Sequence, residues 1–386
     1  MRIALAAVCL GLLLVGVAPA DSLNVRLVGT CDTPGAVMGV AVSGSHAYVA
    51  DGDSGFGVIS VTDPTMPYEV GHYDTTGNEL GVAVDSGHAY VAAYLDGLRV
   101  ISVADPTHPV EVGCCDTMNQ AHGVAAGGEY VYVADFTGLW VVLVHDPANP
   151  VAVGHYDTPG SARRVSLSGD YAYVADQESG LVVVSIADPA HPTWAGHCAT
   201  PTWAYGVAVS GSYAYVVNSN AGLSVISVTD PTHPVQVGYC AVPSQAWDVA
   251  VDGNLVYVAD PDSGLRVISV ADPAHPLEVG YYDTPGHPQS VAADGNYAYV
   301  ADYTAGMQIL EFYGAGVQER PSAEVRMANG GATILSGSRI QSLEPSAVFD
   351  AMGRRVSNPK PGVCFVRGEG RGTGNEGRIR KVVITR

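Results

Sequence analysis

Short apolar runs separated by glycine, aspartate, serine or proline fill the chain from Met38 to Tyr313. Small and bulky apolar residues alternate in Gly39-Val-Ala-Val42 and Ala47-Tyr-Val-Ala50, and again in Phe56-Gly-Val-Ile-Ser-Val61 and Tyr68-Glu-Val-Gly-His-Tyr73. Period-two alternation bounded by turn formers predicts strands, here called A, B, C and D. The A–B connection, Ser43-Gly-Ser45, suits a tight hairpin with positive φ, and its glycine recurs at 87, 128, 169, 211, 253 and 295. The C–D connection is Asp63-Pro-Thr-Met-Pro67, with copies beginning at Asp105, Asp146, Asp188, Asp230 and Asp272. Proline there fixes the turn and removes backbone donors. The B–C connection always ends in glycine, from Gly55 and Gly97 through to Gly306.

The phrase Tyr-Val-Ala-Asp and its variants place a tyrosine at 48, 90, 132, 173, 215, 257 and 299, a spacing of about 42 residues. Four antiparallel strands per unit of that length predict a β-propeller. The seventh unit stops after strand C, Met307-Gln-Ile-Leu-Glu-Phe312, with no Asp-Pro turn behind it. The segment Val25–Thr33 matches strand D and arrives before any complete unit. It supplies the missing outer strand, closing the ring and hiding edges that would otherwise seek partners. The expected fold is all-β: a seven-bladed propeller over 24–313, closed by an N-terminal outer strand, and then a small β-sandwich-like domain.

The phrases Leu265-Arg-Val-Ile-Ser-Val270 and Leu181-Val-Val-Val-Ser-Ile186, followed by Asp-Pro-x-His-Pro and Val-Gly-x-Tyr-Asp-Thr, resemble the LVIVD-repeat family. The resemblance covers about 24–313 and implies a bacterial or archaeal propeller, often exported, with no agreed activity and no catalytic residues to carry over. After a linker at 314–322 come Ser346-Ala-Val-Phe-Asp-Ala-Met-Gly-Arg-Arg-Val356, Lys360-Pro-Gly-Val-Cys-Phe-Val366 and Arg378-Ile-Arg-Lys-Val-Val-Ile-Thr-Arg386. Over 323–386 this is similar to the C-terminal sorting domains of type IX secretion systems, although Cys364 stands where an aromatic is usual. That resemblance implies recognition by secretion machinery; a β-domain with no sorting role is the plainer alternative.

Charge supports the same division. Through Tyr313 there are 6 basic and 32 acidic side chains, and from Gly314 onward 12 basic and 6 acidic. So acidic a body repels phosphate backbones, which argues against nucleic acid as a partner. At the start, Met1-Arg2, an apolar run to Val17 and Ala18-Pro-Ala20 read as a secretory signal over 1–20. No other apolar run approaches membrane-spanning length. The expected location is outside the cell: secreted, or on the outer-membrane surface.

Most chemistry-bearing residues belong to the repeat itself. His108, His191, His233 and His275 hold one slot of the Asp-Pro-x-His-Pro turn in separate blades, so turn packing explains them better than a metal. Cys31, Cys115, Cys198 and Cys240 share one strand D position, which predicts buried free thiols. Asp51 with Asp53, and Asp260 with Asp262, offer calcium the start of a loop, but the further ligands of an EF-type site are missing. No other cofactor is predicted.

The informative positions are those where the unit departs from itself. Two residues before the first valine of strand A stand Met38, Leu80, His122, Arg163, Tyr205, Trp247 and Gln289. The next position is glycine in four blades but Arg164, Asp248 and Ser290 in the others. Strand alternation puts the D–A and B–C connections on one face, so these residues ring the channel mouth, and Trp203, Glu79, His287, Tyr94, Phe136, Glu178 and Tyr303 widen it. Aromatics with a few polar groups are what a binding surface uses, although loops also vary freely without function. Asp135, Asp176 and Glu178 are the first partners expected for Arg163 and Arg164, and an anionic ligand the second. The expected function is non-catalytic binding of a protein or glycan. The alternatives are a hydrolase or lyase using His122, Arg163 and Asp248, or a passive surface scaffold.

Overall fold

The structure, a computed structural model, describes residues 22–75 and 77–314 together with four strands nearer the C-terminus. The segment 1–20, the linker beyond Gly314 and most of 323–386 lie outside the described residues. Among the described residues all regular structure is β-strand, and no helix is long and apolar enough to cross a membrane.

Blade 1 is an antiparallel sheet of Gly39–Ser43, His46–Ala50, Phe56–Ser60 and Tyr68–Tyr73 in the order A-B-C-D. The same order recurs in blade 2 (Gly81–Asp85 to Val110–Cys115), blade 4 (Arg164–Ser168 to Thr193–Cys198), blade 5 (Ala204–Ser210 to Val235–Cys240) and blade 6 (Asp248–Asp252 to Leu277–Tyr282). Strand A of each blade neighbours strand A of the next, and the seventh neighbours the first, so the ring closes.

Blade 3 differs from expectation. It consists of three long strands, Ala121–Gly127, Tyr130–Leu143 and Val151–Ala162. From Tyr132 to Gly138 is one residue less than from Tyr48 to Gly55, Tyr90 to Gly97 or any other copy. One residue short of a turn, the connection stays in the ladder. Phe136 pairs with Ala162, and the register slips once before Gly138.

Blade 7 contributes Ser290–Asp294, Tyr297–Ala301 and Met307–Phe312, and its outer strand is Val25–Cys31, paired from Val25↔Phe312 to Cys31↔Met307. This is the closure that the orphan strand D predicts. Beyond it, Ser22–Leu23 pairs with the outer strand of blade 6. The N-terminal segment therefore fastens two blades.

The core lies between blades. Seven apolar clusters form, one at each junction of neighbours. Tyr48, Phe56 and Val58 pack on Ala89, Val91 and Ile101 of blade 2, while Val49 and Ile59 pack on Tyr299 and Met307 of blade 7. Strands B and C are thus buried on both faces, which is why they read as nearly unbroken apolar runs. Tyr257 is the largest fully buried side chain, and its hydroxyl has no hydrogen-bond partner. Burial pushes that hydroxyl up to about 12. Replacing it as Tyr257→Phe removes an uncompensated polar group, so chemical denaturation should show stability unchanged or raised by ~1 kcal/mol.

The repeated Val-Gly of strand D explains how the outer edges meet. Strand D slips register against strand C there in every blade, as between Leu27 and Gly29 or Glu111 and Gly113. A Cβ on Gly71 would collide with the Pro106 carbonyl and lie 2.8 Å from Pro109 Cδ, so glycine lets the next blade's Asp-Pro turn seat on the strand. Blade 7 has no such turn. At Gly280 of blade 6 the Leu23 carbonyl takes that place, 2.9 Å from where a Cβ would be.

The chain divides by contacts into units 1–317 and 318–386. The described strands of the second form one sheet in the order Thr333–Ser336, Ile379–Thr385, Gly362–Arg367, Ala347–Phe349, with the first pair parallel and the others antiparallel.

Candidate functional site

Backbone bridges join the B–C connection of one blade to the D–A connection of the next: Gly52↔Glu79, Tyr94↔Ala121, Gln177↔Ala204 and Tyr303↔Val37. Both sets of loops therefore share one face. The variable position before strand A sits in one register around it. Its amide donates to the last residue of strand B at Met38→Ala50 (2.8 Å), Leu80→Ala92 (2.9 Å), Arg163→Ala175 (2.9 Å), Trp247→Ala259 (2.9 Å) and Gln289→Ala301 (2.8 Å). His122 and Tyr205 hold the corresponding places inside the longer A strands of blades 3 and 5.

Five blades build one patch from these positions. Tyr94 meets His122 edge-on with ring centroids 5.8 Å apart. His122 faces Phe136 at 6.4 Å. The Arg163 guanidinium lies 3.2 Å from the His122 ring nitrogens and 5.9 Å from the centroids of both Phe136 and Tyr205. Tyr205 in turn stacks with Trp247 at 6.2 Å, with 24° between the planes. The Gln177 amide, turned so that its carbonyl faces the guanidinium, accepts from Arg163 Nε at 2.9 Å and Nη2 at 3.1 Å. Trp203 stands about half exposed on the loop before Tyr205. Met38, Leu80 and Gln289 continue the ring on blades 1, 2 and 7, and Gln289 donates to the His287 carbonyl at 2.8 Å.

At the neighbouring position adjacent A strands meet. A Cβ at Gly81 would lie 2.8 Å from the His122 carbonyl, and one at Gly123 would lie 2.9 Å from Arg164 Cα, so glycine lets adjacent A strands approach. Where glycine is absent the side chains reach across. Arg164 Nη1 donates to the His122 carbonyl at 2.7 Å, and its Nε lies 3.6 Å from Asp248 Oδ1. Ser290 Oγ donates to Asp248 Oδ2 at 2.6 Å. One network thus ties blades 3, 4, 6 and 7. This corrects the expected pairing of the arginines with Asp135, Asp176 and Glu178. Arg164 pairs with Asp248, and Arg163 is in contact with neutral groups, while Glu178 attracts it from beyond ion-pair distance.

Asp135 and Asp176 are engaged elsewhere. The aspartate ending Tyr-Val-Ala-Asp receives a hydroxyl and an amide from the loop entering its blade. Asp51 takes Thr33 Oγ1 (2.7 Å) and Gly35 N (2.8 Å), Asp176 takes Thr158 Oγ1 (2.6 Å) and Gly160 N (2.7 Å), and Asp302 takes Thr284 Oγ1 (2.8 Å) and Gly286 N (2.9 Å). In blade 6 Ser244 serves Asp260 in the same way. These clasps occupy the carboxylates that a calcium loop would need, and among the described residues no three His, Cys, Asp or Glu side chains converge on a metal position. The turn histidines bond their own aspartates, His108–Asp105 at 3.2 Å and His275–Asp272 at 2.9 Å being typical. All five described cysteines are free thiols. Cys31 is buried, Cys115, Cys198 and Cys240 are partly buried against the junctions between blades, and Cys114 is exposed.

Electrostatics define what the patch can do. Burial first, and then Arg163 and Arg164, push His122 down to about 3, so it is neutral at physiological pH and a weak base. His122 is therefore a poor proton acceptor at neutral pH. Asp248 is committed to Ser290 and Arg164. Tyr94, Gln177 and Tyr303 adopt positive φ values of 47°, 35° and 54° at the loop place where blade 1 has Gly52. Such backbone strain in non-glycine residues gathers at functional surfaces. Glu178, the expected B–C residue of blade 4, is exposed, and its neighbour Gln177 holds the loop place of Tyr94 and Tyr303.

The fold resembles known propellers at low identity. The WD40 β-propeller domain of Doa1 matches at 12% identity with a TM-score of 0.61, covering 75% of this chain and 97% of that one. The computationally designed Ika8 protein matches at 7% identity with a TM-score of 0.56, covering 73% and 100%. No curated protein sequence matches. The family model for the LVIVD repeat matches seven times, at 34–75, 76–117, 119–158, 159–200, 203–242, 243–284 and 285–311. By those seven matches, which span most of the propeller, the chain belongs to the LVIVD-repeat family.

Proposed function

We propose that this is an exported, non-catalytic binding protein that presents the loop face of its ring to a protein or glycan partner. The observation that carries the reading is the convergence of His122, Arg163, Tyr205 and Trp247, four positions at which the repeats differ, on one aromatic and polar patch. Neighbours in this register meet whatever they are, but the residues placed there are aromatic with an arginine and a histidine between them, and the adjoining B–C loops hold positive-φ residues at Tyr94 and Gln177. The patch is half-buried, so its aromatic rings are fixed before a ligand arrives, which lowers the cost of binding.

Export rests on the signal-like residues 1–20, and surface delivery on the sorting-type pattern over 323–386. Mass spectrometry of the mature protein should find a chain that begins after Ala20 and, if the tail is consumed in sorting, ends near residue 317. Retention of both ends would remove this part of the reading.

The binding claim is tested with His122→Ala, Tyr205→Ala and Trp247→Ala combined. Probed against an array of oligosaccharides and a panel of purified extracellular proteins, the variant should lose wild-type capture by at least about tenfold, as truncating clustered anchors does, while its melting transition stays cooperative. Equal capture by both proteins would sink the proposal.

A further inference from the structure

The body of this protein carries five arginines beyond the signal-like segment and no lysine. Four have a carboxylate within reach: Arg26 with Glu311, Arg99 with Glu111 at 3.0 Å, Arg164 with Asp248 at 3.6 Å and Arg266 with Glu278 at 3.6 Å. Arg163 is the exception among the described residues. In a chain of net charge −20 its guanidinium is surrounded by the neutral His122, the Gln177 amide and two aromatic rings. Glu178 attracts it only from beyond ion-pair distance. Burying a cation without a carboxylate in contact is costly, and here burial lowers its pKa from the ordinary arginine value. Nothing in the scaffold requires that cost, since the same register is filled by Met38, Leu80 or Gln289 elsewhere.

The donors are also incompletely used. Of a guanidinium's five N–H groups, Nε–H and one on Nη2 go to Gln177, and one on Nη1 goes to His122. One N–H remains on each terminal nitrogen, a pair that matches the two oxygens of a carboxylate. Beside it, Tyr205 and Trp247 stack with their ring planes 24° from parallel and centroids 6.2 Å apart, which puts aromatic surface next to the free N–H pair. The main chain around the patch is already bonded from loop to loop, as at Tyr94↔Ala121 and Gln177↔Ala204, so it offers no free ladder to an extended peptide.

Building on the binding role proposed above, we infer that the patch recognises a carboxylated sugar, its carboxylate on Arg163 and its ring face on Tyr205 and Trp247. The acidic body disfavours a dense polyanion, so the ligand is an otherwise neutral glycan bearing isolated uronate residues.

The test uses the full chain on an array holding neutral oligosaccharides, the same backbones with a single glucuronate or galacturonate, densely sulfated glycans, and peptides with free C-terminal carboxylates. The uronate-bearing glycans should bind and their neutral counterparts should bind at least about tenfold more weakly, because a charge-assisted bidentate contact is lost. Arg163→Gln should erase that difference, and Arg163→Lys should keep part of it. Melting curves of both variants confirm that they fold. Equal binding of neutral and uronate glycans, or an unchanged preference in folded Arg163→Gln, overturns the inference but leaves a binding face in place if Tyr205→Ala and Trp247→Ala still abolish capture. Binding confined to peptides or to sulfated glycans also overturns it. No binding that depends on Tyr205 or Trp247 overturns both readings.

Discussion

A chain that begins after Thr33 loses cooperative folding. Val25–Cys31 is the outer strand of blade 7, and Val25 is almost wholly buried in the junction of blades 6 and 7 with Leu265, Val300 and Leu310. Ser22–Leu23 adds a second bond, to blade 6, where the Leu23 carbonyl fills the seat of the absent Asp-Pro turn. Removing these residues strips the Met307–Phe312 ladder, opens an apolar junction and exposes a long strand edge that invites aggregation. Domains are stable by only about 5–15 kcal/mol, and losing a whole paired strand removes an amount of that order. Urea denaturation with circular dichroism should show no sharp transition for the shortened chain, and a peptide of residues 22–33 added in trans should restore one. An unchanged midpoint would show that the ring does not depend on its N-terminal strand.

The aspartate clasps carry the second large effect. Asp302 takes the Thr284 hydroxyl and the Gly286 amide between blades 6 and 7, and burial pushes it up to about 6. Replacing it as Asp302→Ala strands both donors in a buried place, so stability should fall by about 2–4 kcal/mol. The pH dependence has a definite sign. In blade 2 the clasp residue is Ala93, and the fully buried Glu79 stands nearby, pushed up to about 7 by burial. For groups raised in the folded state, the stabilising part is fully present below their unfolded values near 4 and is lost as pH rises through 6 and 7. Asp51, Asp135 and Asp176 are raised by burial too, and His72 is raised by its Glu69 and Asp74 partners against the opposing effect of burial. The turn aspartates such as Asp105 and Asp272 are lowered by their own turns and act only on the acid side of about pH 4. Glu79 and Asp302 should together add on the order of 2 kcal/mol of stability as pH falls from 8 to 5, after allowance for relaxation, whereas His122, pushed down to about 3, removes stability below its unfolded value near 6.5. The measurement is therefore made in a His122→Ala background, where urea denaturation should show stability rising as pH falls. Asp302→Ala should flatten part of that slope, and midpoints that fall over the same interval would contradict the assignment.

The scaffold was legible because each blade repeats the same local chemistry. Tyr-Val-Ala-Asp, Asp-Pro-x-His-Pro and Val-Gly-x-Tyr each mark one strand or turn, and Val25–Thr33 betrayed the closure by matching strand D out of place. What they do to one another was not legible. The Gly of Val-Gly-x-Tyr seats a proline turn from the next blade, and the Asp of Tyr-Val-Ala-Asp clasps a threonine hydroxyl eighteen residues earlier and a glycine amide sixteen earlier, contacts that exist only once blades stack. The seven variable positions were correctly set on one rim by strand direction. Their partners were not, because Arg164 reaches Asp248 across the ring from blade 4 to blade 6. Gln177 carries no charge or motif that marks it in the sequence, beside the charged and exposed Glu178, and only its contact with Arg163 reveals its role.

The central claim is that function lies where the repeats differ, on the loop face, and not in the repeated turns. The most direct measurement compares two variants of the full chain for ligand capture on the same array. One has alanine at His122, Tyr205 and Trp247 on the loop face, and the other has alanine at His108, His191 and His275 in the turns at the opposite ends of the strands. The first should lose capture and the second should keep the wild-type level, with both remaining folded. Capture lost in the second variant and kept in the first would contradict it.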